Sequence, residues 1–227
     1  MKVGLVGIGK LGRAMMKHWS CKGRAIGIYH PERTKAETFI QHYPSGYILN
    51  EKELSTLDMI ILALPAQEIV PFLNECMDKG IPLTETRIIN MATTLYTKEV
   101  KNQFPHLSIW GVKFMGHARD LLERGDGLFI TESPLPAEMA EAFRDLGRIK
   151  IDGEEKLLQV NKLATYYAVK TALELEDHFT EQGLAADYIE RALRSLAPEV
   201  MRSYSEGELG HFGKEIVREL KTDRISK

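Results

Sequence analysis

The chain has 227 residues, enough for one large or two small domains with a sizeable core. Its 30 Lys and Arg against 32 Asp and Glu leave a formal net charge of −2, which makes no electrostatic case for nucleic acid or an acidic membrane surface. The longest apolar run, Met59 to Leu64, is too short to span a bilayer. Cys21 and Cys76 lie far apart without metal-ligand spacing, and read as reduced thiols of an intracellular, cytoplasmic protein.

In chain order, Val3 to Val6 is an apolar strand that runs directly into Gly7-Ile8-Gly9-Lys10-Leu11-Gly12, and the amphipathic stretch Arg13 to Trp19 follows. The strand interrupted by glycine does not read as a signal peptide. Strand, glycine turn and helix in this order are what a dinucleotide-binding unit needs. Gly7 allows the tight turn. Gly9 removes a side chain where backbone must approach a pyrophosphate, and Gly12 lets helix and strand pack closely. The free N–H groups of the helix start then face the phosphate.

The second strand, Ala25 to Tyr29, ends in His30-Pro31-Glu32-Arg33-Thr34-Lys35. An NAD site usually carries an acid at the strand end; Tyr29 or His30 stands there instead. Arg33 and Lys35 suit a 2′-phosphate, because guanidinium and ammonium complement it. NADP is therefore the expected cofactor. Glu32 reads as a first-turn helix acid.

Further along, Glu32 to His42 is a predicted helix and Tyr47 to Leu49 a short strand. Asp58 to Leu64 has the continuous apolar character of a parallel strand buried on both faces. A helix then runs to about Lys79. Arg87 to Met91 is the next strand, and Thr94 is expected to cap a helix through Gln103. Ser108 to Met115, Leu128 to Thr131 and Arg148 to Ile151 are further strands, with a helix over Pro136 to Leu146. This alternation predicts an α/β fold with a doubly wound, Rossmann-type parallel sheet over residues 1–152.

Residues 153–227 carry no strand signal and predict a small all-α domain. Lys156 to Gln182 reads as one long helix closed by Gly183. Ala186 to Tyr204 reads as a second, kinked or split by Pro198, and Phe212 to Leu220 as a third. Leu157 to Leu175 is apolar on most faces, so a homodimer through these helices is expected. Glu174, His178 and Glu181 share a helix face, but read as a solvated face with local ion pairs; no metal is expected. There is no nucleophile elbow, P-loop or zinc signature.

MKVGLVGIGKLGRAM, HPERTKAE and DMIILALPAQEIVPFL together resemble the pyrroline-5-carboxylate reductase family of NADP oxidoreductases, most strongly over the first domain. The resemblance implies cofactor contacts from Ala63, Leu64, Pro65 and Gln67, and from Met91 and Ala92 beside the nicotinamide. Lys113-Phe114-Met115-Gly116-His117-Ala118 resembles that family's Arg-Val-Met-Pro-Asn-Thr stretch, with His117 where the family has Asn. A histidine there can donate to a carbonyl or imine, or act as a general acid. The family's Gly-Gly-Thr-Thr run, which helps to hold the substrate carboxylate, has no match; the nearest glycines are Gly207, Gly210 and Gly213. Val160 to Thr165 resembles the Lys-Leu-x-Asn-Asn stretch of β-hydroxyacid dehydrogenases, which nominates Lys162 as a desolvated acid or base.

The expectation is an NADP-dependent oxidoreductase acting on a small imine or carbonyl substrate. His117 is the first candidate for the polarising or proton-donating group, Lys162 the second and Lys113 the third. A nucleotide-binding redox sensor without turnover, or a β-hydroxyacid dehydrogenase-like enzyme, is the alternative.

Overall fold

A computed structural model describes residues 1–225. Six strands form one parallel sheet: β1 (Val3–Val6), β2 (Ile26–Tyr29), β3 (Gly46–Ile48), β4 (Met59–Leu62), β5 (Arg87–Asn90) and β6 (Ser108–Gly111). Their spatial order is β3-β2-β1-β4-β5-β6, with every pair parallel. That order, reversing direction beside β1, defines the doubly wound Rossmann sheet.

Successive strand residues face opposite layers, so a strand buried on both faces must be apolar at every position. Strands β1, β2 and β4 are buried along their whole length. Leu5, Ile28 and Ile61 enter one core, with Met15 and Trp19 of α1 (Lys10–Cys21) and Phe39 of α2 (Arg33–Ile40). Val6, Ile60 and Leu62 enter the other, with Ile69, Phe72 and Leu73 of α3 (Ala66–Asp78) and Val100 of α4 (Thr97–Gln103). A 3-10 turn over Glu51–Thr56, closed at Asn50 by a reciprocal Asn50–Glu53 capping box, leads into β4.

Three differences from the predicted elements follow from local chemistry. The stretch 108–115 is not one strand. It breaks at the fully buried Val112, and β7 (Lys113–Met115) joins a separate sheet with β8 (Gly127–Thr131) and β9 (Gly147–Ile151). Here β7 is antiparallel to β8, and β8 parallel to β9. Between these strands lie α5 (Ala118–Arg124) and α6 (Ala137–Arg144); Trp19 of α1 donates its indole N–H to the Ala142 carbonyl of α6 at 2.7 Å. Thr94 is not a cap either, because α4 starts at Thr97 with Tyr96 in the N-cap position. Pro198 does not break its helix. α8 (Ala186–Arg191) continues through a π turn, Ala192–Leu196, into α9 (Ala197–Glu206). The Ala197 N–H bonds the Ala192 carbonyl five residues back, the wider turn that lets the proline, with no N–H to give, sit at the start of α9.

The change from strand to helix falls where the sequence predicts it, and α7 (Glu154–Glu181) follows at once. Gly183 and Gly207, at φ 67° and 76°, follow the ends of α7 and α9. The last helix is α10 (His211–Ile225). Two compact units divide at Lys162 and Leu163. In the second unit Ala192 is the sole buried residue among those described.

Candidate functional site

Two of the three glycines in the first turn serve the fold itself. Gly7 has φ 108°, and a Cβ on it would collide with the Ala63 backbone at the end of β4. A Cβ on Gly12 would collide with the Gly7 carbonyl, so helix α1 can lie this close to β1 only with glycine there. Gly9 differs. It has φ −70°, which any residue adopts, and a Cβ on it would meet nothing within 4 Å. The chain itself places no demand for glycine at this position. Gly9 is also the N-cap of α1 and makes no side-chain cap hydrogen bond, so the first N–H groups of the helix stand open.

A cavity of about 540 Å³ opens at this turn. Gly7, Ile8, Gly9, His30, Lys35, Ala63, Leu64 and Pro65, all nominated by the sequence, line it. The turn therefore meets the end of β2 and the loop after β4, the crevice beside the carboxyl ends of the strands where open α/β sheets take ligands. Lys10 lines a second hollow on the other side of the turn, Leu11 packs against the core, and Gly12 is buried. Tyr29, placed at the strand end by the sequence, is on the cleft wall; sequence reasoning missed Pro71 and Phe72 beside it. Pro71 lies inside α3, and its visible signal is a proline within a helical pattern. Tyr29 donates its hydroxyl to Glu51 at 3.2 Å, and burial first, then the Glu51 charge, pushes its pKa up to about 12.

The strand end departs from expectation. Arg33 donates Nε to Glu37 along its own helix at 2.9 Å and is not among the cleft-lining residues. Lys35 does line the cleft, donating Nζ to Glu32 at 2.5 Å. That hydrogen bond holds the Glu32 carboxyl below the usual carboxylate range. Glu32 itself is the N-cap residue of α2, one position before the first turn. Gln67 is exposed on the first turn of α3 and also lies off the cleft lining.

Met91 and Ala92, after β5, are buried, and the loop they begin is held by a network the sequence did not reveal. Lys113 is 1% exposed. Its Nζ donates to the carbonyls of Ala92 at 2.8 Å and Leu95 at 2.9 Å, and lies 3.7 Å from the Glu154 carboxylate. Glu154, 3% exposed, accepts from the Thr97 N–H at 2.8 Å and the Thr97 hydroxyl at 2.5 Å. Asn90 donates to Leu95 O and accepts from Ala92 N–H. Burial pulls the Lys113 ammonium down to about 8, against the Glu154 charge that raises it. Lys113, the third candidate proton donor, has its ammonium tied to two backbone carbonyls of the loop with a carboxylate 3.7 Å away.

His117 is the N-cap of α5, exposed, and its Nδ1 accepts from the Arg119 N–H at 3.3 Å. An accepting Nδ1 leaves the proton on Nε2, which is free to donate. Lys162 is exposed on α7, so the desolvated lysine predicted there is not found. The physical reason is that every α7 residue beyond Leu157 is exposed or half-buried within the chain. The structure joins His117, Lys113 and Lys162 by no hydrogen bond or ion pair among the described residues. Glu174 pairs with Lys170, and His178 with Glu181, as the sequence predicts for a solvated face. The Cys76 thiol is pushed up to about 11, first by burial, which leaves it a poor nucleophile at neutral pH.

The fold is a Rossmann-type architecture, with a cleft at its strand ends, followed by a helical region. Residues 2–88 match the family model described as NADP oxidoreductase, coenzyme F420-dependent. No curated protein matches the chain. Among solved structures, a pyrroline-5-carboxylate reductase from Coxiella burnetii shares the fold with TM-score 0.70 at 14% identity, over 99% of this chain and 92% of that one. A putative oxidoreductase from Mycobacterium avium 104 gives 0.66 at 16% identity, over 90% of this chain and 74% of that one. An imine reductase from Aspergillus terreus, in complex with NADPH4 and dibenz[c,e]azepine, gives 0.62 at 15% identity, over 90% and 74%. The pyrroline-5-carboxylate reductase-like character read from the sequence thus has a counterpart in fold. No helix among the described residues is long and apolar enough to cross a membrane.

Proposed function

We propose that the protein is an NADP-dependent oxidoreductase that passes a hydride between NADPH and a small imine or carbonyl compound. One observation carries this. Gly9 is a glycine that neither backbone conformation nor packing requires, at the open N-terminus of α1, on the wall of a cleft at the strand ends. A pyrophosphate laid on the N–H groups of Lys10, Leu11 and Gly12 explains it, because a side chain at position 9 would occupy that space. The family match over residues 2–88 and the structural likeness to a pyrroline-5-carboxylate reductase and an imine reductase support the same reading.

The dinucleotide, when bound, supplies or takes the hydride. The chain binds and orients. The turn Gly7–Gly12 takes the pyrophosphate, and Ala63, Leu64 and Pro65 flank the path toward the nicotinamide. Met91 and Ala92 hold their backbone beside the ring because Lys113 and Asn90 fix that loop. His117, protonated on Nε2, donates to the substrate nitrogen or oxygen. NADPH oxidation, followed by absorbance with a panel of cyclic imines and small keto acids, tests this; loss of turnover in His117→Ala is the expected control.

A dinucleotide-binding sensor without turnover is the second reading. It is favoured by one fact: neither His117 nor Lys162 is among the residues that line the cleft. We also propose a cytoplasmic homodimer formed through the C-terminal helices. Leu163, Tyr166, Tyr167, Val169 and Leu173 of α7 are each more than half exposed, at 57, 61, 57, 52 and 55%. Apolar exposure on this scale marks an association surface.

A further inference from the structure

We infer that Arg13, together with Lys35, holds the 2′-phosphate of the dinucleotide, so that a residue of α1 and not Arg33 sets the preference for NADP. This rests on the cofactor reading above. A hollow of about 330 Å³ lies between α1 and α2, lined by Ile8, Arg13, Thr34, Lys35, Thr38 and His42 with the Phe39 ring. Two cations, two hydroxyls and an imidazole face it, and no carboxylate lines it. Ile8 and Lys35 also line the 540 Å³ cleft, so the two spaces meet at the end of β2. With the pyrophosphate on α1, the adenosine ribose lies at that strand end. A group on its 2′ oxygen then reaches this hollow.

The two arginines differ in what they already do. Arg33 is paired to Glu37 and lines neither space. Arg13 is exposed and has no ion pair among the described residues. Its backbone carbonyl accepts from the Tyr43 hydroxyl at 3.4 Å, which ties α1 to the segment after α2. A planar guanidinium can grip a phosphate bidentately, and the Lys35 ammonium adds a second charge. Lys35 is paired to Glu32, an acid that lines the 540 Å³ cleft but not this hollow.

Arg13 also lines the 300 Å³ hollow across the glycine turn, with Lys10 and Arg119. An anion could therefore reach it from two sources, the 2′-phosphate or the pyrophosphate. Comparing the two dinucleotides separates them, because NADH carries only the second. Calorimetry on the full chain gives the dissociation constants for NADPH and NADH in wild type, Arg13→Ala, Arg13→Lys and Arg33→Ala. Arg13→Ala is expected to weaken NADPH by about tenfold or more and NADH by less than about twofold, with Arg13→Lys intermediate because it keeps charge but loses the fork. Arg33→Ala is expected to change the NADPH to NADH ratio by less than about threefold. Equal weakening of both dinucleotides by Arg13→Ala would assign Arg13 to the pyrophosphate and overturn the inference. So would a ratio that collapses in Arg33→Ala and survives in Arg13→Ala. Wild type that binds neither dinucleotide would instead overturn the cofactor reading itself. The exposure of Arg13 and the high helix propensity of alanine keep the variants folded, which an unchanged melting temperature verifies.

Discussion

Replacing Lys113 with methionine removes the cation from a buried polar network while keeping its length and apolar stem. The side chain is 1% exposed and its Glu154 partner 3%, so water cannot take over the lost interactions. Glu154 keeps the two Thr97 donors but loses its counter-ion 3.7 Å away, and the Ala92 carbonyl loses its ammonium donor. Removing one member of a buried pair costs about 3–5 kcal/mol, because the other charge is left unpaired. At Lys113 the cost of burial outweighs the attraction of the Glu154 charge. Lys113 falls from 10.5 to about 8, a shift worth about 3 kcal/mol against the charged form. The loss in Lys113→Met therefore comes from the stranded Glu154. Adding Glu154→Gln, which can still accept from Thr97, is expected to recover about 1–2 kcal/mol. Urea unfolding of wild type, both single variants and the double variant measures the cycle. A loss below about 1 kcal/mol in Lys113→Met, or a double variant no better than the single, would refute the reasoning. The same shift fixes a pH dependence. Between about 8 and 10.5 the unfolded chain holds a proton that the folded chain has released, so wild-type stability rises with pH through that window. Lys113→Met should lack that rise.

Gly9→Ala should leave stability within about 0.5 kcal/mol of wild type, yet weaken NADPH by about tenfold or more; thermal melts with calorimetry check both halves. Gly12→Ala should instead lower the melting temperature, since its Cβ meets the Gly7 carbonyl. His117→Ala should cost about 1 kcal/mol through the lost α5 cap and reduce kcat by about 100-fold, whereas unchanged kcat would remove His117 from the chemistry. Leu173→Glu should shift the sedimentation of the protein from dimer to monomer; an unshifted dimer would place the interface elsewhere.

The parallel sheet was legible because buried strands leave an unmistakable pattern. Val3 to Val6 and Met59 to Leu62 are apolar at every position, as burial on both faces demands. The glycine turn was legible for a similar reason: backbone contact at Gly7 and Gly12 permits no other residue. The second sheet was not. Lys113 to Met115 follows β6 after a single residue, and nothing in the local sequence tells that Val112 carries the chain from one sheet to the next. The role of Lys113 was hidden because it depends on Glu154, a partner 41 residues away by sequence number and joined to it at 3.7 Å by the fold. Arg33 and Arg13 show the same limit at the cleft. Position after β2 nominated Arg33, but an acid one helical turn on, Glu37, holds it, while Arg13 reaches the hollow from another helix. Lys162 was nominated as a desolvated acid or base because its helix is apolar; the residue itself is exposed.

Calorimetric titration of the purified wild-type protein with NADPH, and with NADH alongside, is the decisive measurement. Saturable binding of NADPH at one site per chain, tighter than NADH and lost when Gly9 is replaced by a bulky residue such as valine, is the predicted result. Binding of neither dinucleotide would contradict the assignment of the cleft, and NADPH binding that survives Gly9→Val would place the pyrophosphate away from the α1 turn.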